Sequence, residues 1–152
     1  MPSKDQIEAE GTLRILIENL IDAQQNLQSI GEDTKNETLR RYFLAESLKR
    51  AEFRGEIETI LHRDGVRDID ETGTPSAAFV RAWTGLKSKL GGGDEGLLAI
   101  AEEGERSMLE AYADALGADL PLPVREVLAL QAAHIRQSHQ YVTAAVSGAE
   151  QA

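Results

Sequence analysis

Four amphipathic stretches, punctuated by glycine and proline and almost free of strand-like alternation, commit this chain to an all-α helical bundle. In the first, from Thr12 to about Ile30, the residues Leu13, Leu16, Ile17, Leu20 and Leu27 recur at helical spacing, and Gly31 reads as a C-terminal stop. In the second, Thr34 and Glu37 resemble a capping box, and Leu39, Phe43, Phe53, Ile57, Ile60 and Leu61 mark one face up to Gly65. Asp94 is positioned to cap the third, whose inner face carries Leu98, Ala101, Met108, Leu109, Tyr112 and Leu116 before Gly117. Pro121 and Pro123 forbid an earlier start to the last, which presents Val127, Leu130, Ile135, Tyr141, Val142 and Ala145.

The first and last connections are short, whereas about thirty residues separate the second stretch from Gly93, far more than antiparallel neighbours in a bundle need. Within that connection Thr74-Pro75 reads as an N-cap with proline at the first helical position, and Phe79, Trp83, Leu86 and Leu90 form a short apolar face ending at Gly91-Gly92-Gly93. The expected architecture is therefore two helical hairpins joined by a long crossover containing a short helix, the ferritin-like four-helix arrangement. A single domain over residues 1–152 is expected, with about 1–11 and 147–152 frayed.

Polar residues interrupt the apolar faces at particular points. On a helical wheel Glu46 and Arg50 fall between Phe43 and Phe53, four residues apart and able to pair. Glu105 points inward between Leu98 and Tyr112, with Glu102 on its flank. Gln24 takes a central position in the first helix, while Glu18 and Asp22 look outward. In the fourth, Gln131 and His134 share the inner face and His139 projects to its edge. Together Gln24, Glu46, Arg50, Glu105 and His134 make a candidate buried polar network.

A carboxylate-bridged dimetal centre in such a bundle takes a Glu from each of two helices and a Glu-x-x-His from each of the other two. Here Glu105 is present, but Gln131-Ala132-Ala133-His134 offers a neutral amide where a bridging carboxylate is wanted, and Arg50-Ala51-Glu52-Phe53 offers a permanent cation. A guanidinium can occupy the space and charge of a lost metal by pairing with Glu46 and Glu105 through its planar fork. The metal alternative, iron or manganese, would use Glu102, Glu105, Gln131, His134 or His139 around one ion.

Several of these residues, at their spacing, resemble a bacterial ferritin-like family known as domain of unknown function 2383. The resemblance rests on Phe43 to Phe53 (Phe-Leu-Ala-Glu-Ser-Leu-Lys-Arg-Ala-Glu-Phe), on Arg81-Ala82-Trp83, on Glu102-Glu103-Gly104-Glu105 with Tyr112, and on Gln131 with His139, and covers roughly Leu13 to Val146. It implies the ferritin-like fold and says nothing of an activity. It also singles out His139, where the wheel favours His134. The chain departs from the family's pattern at Val80, which replaces a His, at Glu46, where Arg is usual, and at Arg106, where Asp is usual.

Composition narrows the functional classes. Cysteine is absent, which excludes thiol catalysis, disulfides and thiolate metal sites. The formal net charge of -10 disfavours nucleic acid, and no signal-type or membrane-spanning apolar run is present, so a cytoplasmic location with no membrane partner is expected. Gly91-Gly92-Gly93 lacks the Lys and the preceding strand of a phosphate loop. Trp83 is expected to pack the crossover against the bundle, with ligand binding by Arg81, Trp83 and Lys87 the lesser reading. The expectation is a non-enzymatic module without a cofactor, partnered by a second copy of itself as a dimer or by another protein.

Overall fold

The structure, a computed structural model, describes residues 3–69, 80–81, 84–85 and 93–151. Among them there are four long helices and no strand: α1 (Lys4–Asp33), α2 (Glu37–Arg63), α3 (Asp94–Leu116) and α4 (Leu122–Gln151). Val80, Arg81, Thr84 and Gly85 also have helical backbone, whereas the Thr74-Pro75 cap, Phe79, Trp83, Leu86, Lys87, Leu90 and Gly91-Gly92 lie outside the described residues.

The helix ends correct several sequence expectations. α1 begins at Lys4 instead of Thr12, because Ser3 and Gln6 form a reciprocal capping box: Gln6 N–H donates to Ser3 Oγ and Ser3 N–H to Gln6 Oε1. Residues 4–11 and 147–151 have helical backbone. Gly31 is no stop; α1 runs through it to Asp33, and a Cβ there would sit 2.9 Å from Leu44 Cγ and Cδ2. Glycine at this point lets α1 and α2 approach closely. Thr34 does not cap α2 either, since its hydroxyl donates to Ile30 O at 2.7 Å and finishes α1. The α2 cap is Asn36, whose side chain accepts from Leu39 N–H at 3.0 Å. α2 ends before Gly65, whose φ of 90° is the left-handed conformation that favours glycine.

Asp94, expected to cap α3, is instead its first residue, and Gly93 precedes it as N-cap. The Asp94 carboxylate accepts the backbone N–H groups of Lys35 and Asn36, both at 2.8 Å. This contact pins the start of α3 to the α1–α2 turn and so fixes direction. α3 runs parallel to α2 and antiparallel to α1, and α4 returns beside α3. The chain therefore leaves α2 at one end of the bundle and enters α3 at the other.

Buried positions repeat at alternating intervals of three and four: Phe43, Glu46, Arg50, Phe53 and Ile57 on α2; Leu98, Ala101, Glu105, Met108 and Tyr112 on α3; Val124, Leu128, Gln131, Ile135, Ser138 and Val142 on α4. Steps of three and four residues keep these positions on one face of each helix, the seam that meets the core. Leu130, read as inward, is 75% exposed because it lies about 200° round α4 from the buried Leu128, and Leu109, Leu116 and Val127 are only half-buried. Two apolar clusters result. One joins Leu27, Ile30, Phe43, Leu98, Ala101 and Val142 near the α1–α2 turn; the other, larger, centres on Leu16, Leu20, Ile57, Tyr112, Leu128 and Ile135. No helix among the described residues is long and apolar enough to cross a membrane.

The glycines offer a test of this packing. Gly31→Ala should lower stability by about 1–3 kcal/mol through overpacking against Leu44, despite alanine's better helix propensity. Gly55→Ala, whose Cβ would meet nothing within 4 Å, should raise it by up to about 1 kcal/mol. Urea denaturation of both variants checks the opposite signs.

Candidate functional site

At the waist between the two apolar clusters the seam turns polar. Arg50, on α2 between Phe43 and Phe53, is 0% exposed. Its Nη1 donates to Glu105 Oε1 at 2.7 Å and its Nη2 to Glu105 Oε2 at 2.8 Å, a bidentate fork reaching from α2 to α3. Nη2 also donates to Glu46 Oε2 at 3.0 Å, one turn back along α2. Nε has no hydrogen-bond partner among the described residues. Burial alone would lower the Arg50 pKa, but the hydrogen bonds and charges of Glu105 and then Glu46 outweigh it and raise it. The guanidinium is a fixed cation.

α4 closes the ring. His134 Nε2 lies 2.9 and 3.1 Å from the two oxygens of Glu46, and since a carboxylate accepts only, the imidazole nitrogen donates. The same ring meets Phe53 edge-on, 5.4 Å between centroids. Two carboxylates thus face one guanidinium, with His134 the further member able to carry positive charge.

Flanking this ring are neutral polar pairs that the sequence reading missed. Tyr112 donates to Gln131 Oε1 at 2.7 Å, and Gln131 Nε2 donates to the Phe53 carbonyl at 3.2 Å, so the amide orientation is set from both ends. Tyr42 donates to Ser138 Oγ at 2.7 Å and stacks on Tyr141, with centroids 4.0 Å apart. Burial pushes the Tyr42 hydroxyl up to about 12 and raises that of Tyr112, so both stay protonated donors. Ser138 follows Gln131 by about two helical turns and so shares its face of α4, a signal that the spacing carries.

Gln24 does not join the network. It is half-buried, and its part in this region is a backbone carbonyl that accepts from Ser47 Oγ at 2.9 Å. The five residues considered as metal ligands are held in separate pairs: Glu105 on Arg50, Gln131 on Tyr112 and Phe53, His134 on Glu46, and His139 on Glu102 at 3.1 Å. Among the described residues no three His, Asp or Glu side chains converge on one point. A dimetal centre does not fit this donor set, because both oxygens of Glu105 are committed to a guanidinium.

His134 and His139 need not compete for one inward place. Both are partly exposed, and they flank the α4 seam to meet different helices, His134 reaching α2 and His139 reaching α3. Glu102 also accepts from Arg106, one turn along α3. Burial alone would raise the Glu102 carboxyl, but the bonds and charges of His139 and Arg106 outweigh it and hold it below the usual range.

The geometry defines a class of protein: an all-helical module stapled at mid-height by a desolvated ion network. The chain belongs to the family described as Domain of unknown function (DUF2383), whose profile matches residues 8–118. The match takes in Glu46, Arg50, Glu102 and Glu105 and ends before Gln131, His134 and His139. No curated protein was found to match the chain.

The depressed Glu102 has a pH consequence. A carboxyl whose folded pKa lies below its unfolded value stabilises above the unfolded pKa and loses that contribution as pH falls through the folded one. Glu102→Gln should therefore be less stable than the parent at neutral pH, with the difference starting to shrink as pH falls through the ordinary value of 4.5 and gone below the lowered folded value. Parallel urea titrations across the acid range measure it.

Proposed function

We propose that the chain is a non-enzymatic, ferritin-like helical module in which the Glu46–Arg50–Glu105–His134 ring stands where such bundles build a dimetal centre. The observation that carries this reading is the fully buried Arg50 guanidinium bound by both oxygens of Glu105. It supplies positive charge between inward carboxylates at the depth where a bridging cation would otherwise sit. The hairpin–crossover–hairpin course of the four helices supports the ferritin-like assignment, though that likeness of fold brings no iron chemistry with it. Its partner is a second copy or another protein: the net charge of -10 is unsuited to nucleic acid, while Leu48 and Leu130 expose apolar surface on α2 and α4.

A buried ion pair is costly to break and inexpensive to replace whole. Arg50→Ala alone should lose about 3–5 kcal/mol, because Glu46 and Glu105 are left desolvated without a cation. Replacing Arg50 by Met together with Glu46→Gln and Glu105→Gln should recover most of that loss in the same denaturant assay. Elemental analysis after growth in iron- and manganese-supplemented medium, with melts in and out of chelator, tests the rest. Stoichiometric metal and a melt lowered by chelation would overturn the proposal in favour of a metal site drawn from Glu102, Glu105, Gln131, His134 and His139.

A further inference from the structure

A second feature lies on the opposite side of Glu105. Between α1 and α3 a cavity of about 190 Å³ opens beside Asn19, Asp22 and Asn26 on one wall and Gly104 and Ser107 on the other. Leu27, Ile30, Ile100 and Met108 complete it with apolar surface. Asp22, read from sequence as outward, is half-buried here, and its Oδ1 is enclosed with no hydrogen-bond partner among the described residues. An enclosed carboxylate oxygen without a donor costs free energy that a ligand can recover. Burial first, and then the Glu18 charge, push this carboxyl up to about 6, which marks how poorly its charge is compensated.

We propose that the α1–α3 cavity binds a small primary ammonium compound with a short apolar body, the ammonium seated on Asp22. The sign of the charge follows from the lining, in which Asp22 and Glu103 are acidic, Glu105 is already compensated by Arg50, and no described lining residue is Lys, Arg or His. The amides of Asn19 and Asn26 and the Ser107 hydroxyl supply further polar contacts for the head group. The apolar walls suit a hydrocarbon body better than a hydrated metal ion. Size agrees as well: a cavity of roughly 150 Å³ accepts benzene, so this one accommodates a slightly larger ring-bearing amine. A Cβ on Gly104 would meet nothing within 4 Å, so the wall there faces open space.

The test is a titration of the isotopically labelled full chain with phenethylammonium at about pH 7.5, where an amine remains protonated and a carboxyl ionised. It is followed by amide chemical shifts. Saturable shifts centred on Asn19, Asp22, Gly104 and Met108 are expected, with 2-phenylethanol binding roughly tenfold more weakly or worse for lack of the charge. Asp22→Asn, nearly isosteric, should weaken the amine by a similar factor, and Gly104→Leu, which fills open space on a helix, should abolish binding in a folded protein. Affinity should also fall at about pH 5 as Asp22 takes up a proton, with Glu18, Glu103 and Glu105 the other acids around it. Absence of saturable binding, equal binding of amine and alcohol, or unchanged affinity in Asp22→Asn would each overturn the proposal. The outcome does not depend on the metal content of the waist and so fails or stands separately from the reading of the ion network.

Discussion

The structure turns on one desolvated cation. Removing a guanidinium from water is so unfavourable that its surroundings must compensate nearly every donor, and Arg50 obtains that compensation from Glu105 across the α2–α3 gap and from Glu46 along its own helix. Glu46 in turn receives His134 from α4. Each bond requires a particular rotation and height of its helix, so the ring restricts the register of three helices together. Apolar seams alone tolerate sliding by a heptad; a bidentate fork does not.

Position makes the ring selective as well as strong. It lies between a smaller cluster around Phe43 and Val142 and a larger one around Ile57 and Ile135, so neither apolar mass can extend through the waist unless charged groups are met there. The Tyr112–Gln131 and Tyr42–Ser138 pairs repeat the rule with neutral groups, each spending a hydroxyl proton on an acceptor from α4. Polar side chains on the seam are thus matched helix to helix, which disfavours any arrangement that would leave one of them unpaired.

How much of this was legible in sequence depends on the distance between partners. Apolar spacing within each helix located all four, and the four-residue step from Glu46 to Arg50 disclosed their pairing, because both facts are local. The inward turn of Glu105 was legible for the same reason. Gly31 was not, since the signal for a helix stop and the signal for a close helix crossing are the same residue, and only Leu44 across the gap distinguishes them. Thr34 and Asp94 were misassigned by one role each and Asn36 was passed over, because any of several short polar residues can cap, and tertiary contacts decide which one does. Leu130 failed because its apolar character, not its position, put it inward, since it lies about 200° round α4 from the buried Leu128. Gln24, seven residues on from the buried Ile17, is only half-buried at a position that spacing alone places inside.

The two bonds from Asp94 to the Lys35 and Asn36 amides also bear on how the molecule assembles. Each hairpin can form from local contacts, but these bonds join positions 59 and 58 residues apart and exist only when the second hairpin has seated on the first. Nothing else in the α1–α2 turn need shield those two amides from solvent. Their hydrogen exchange therefore reports the docking of the two halves as an event distinct from the fraying of either, giving the fold a built-in gauge of its least local step.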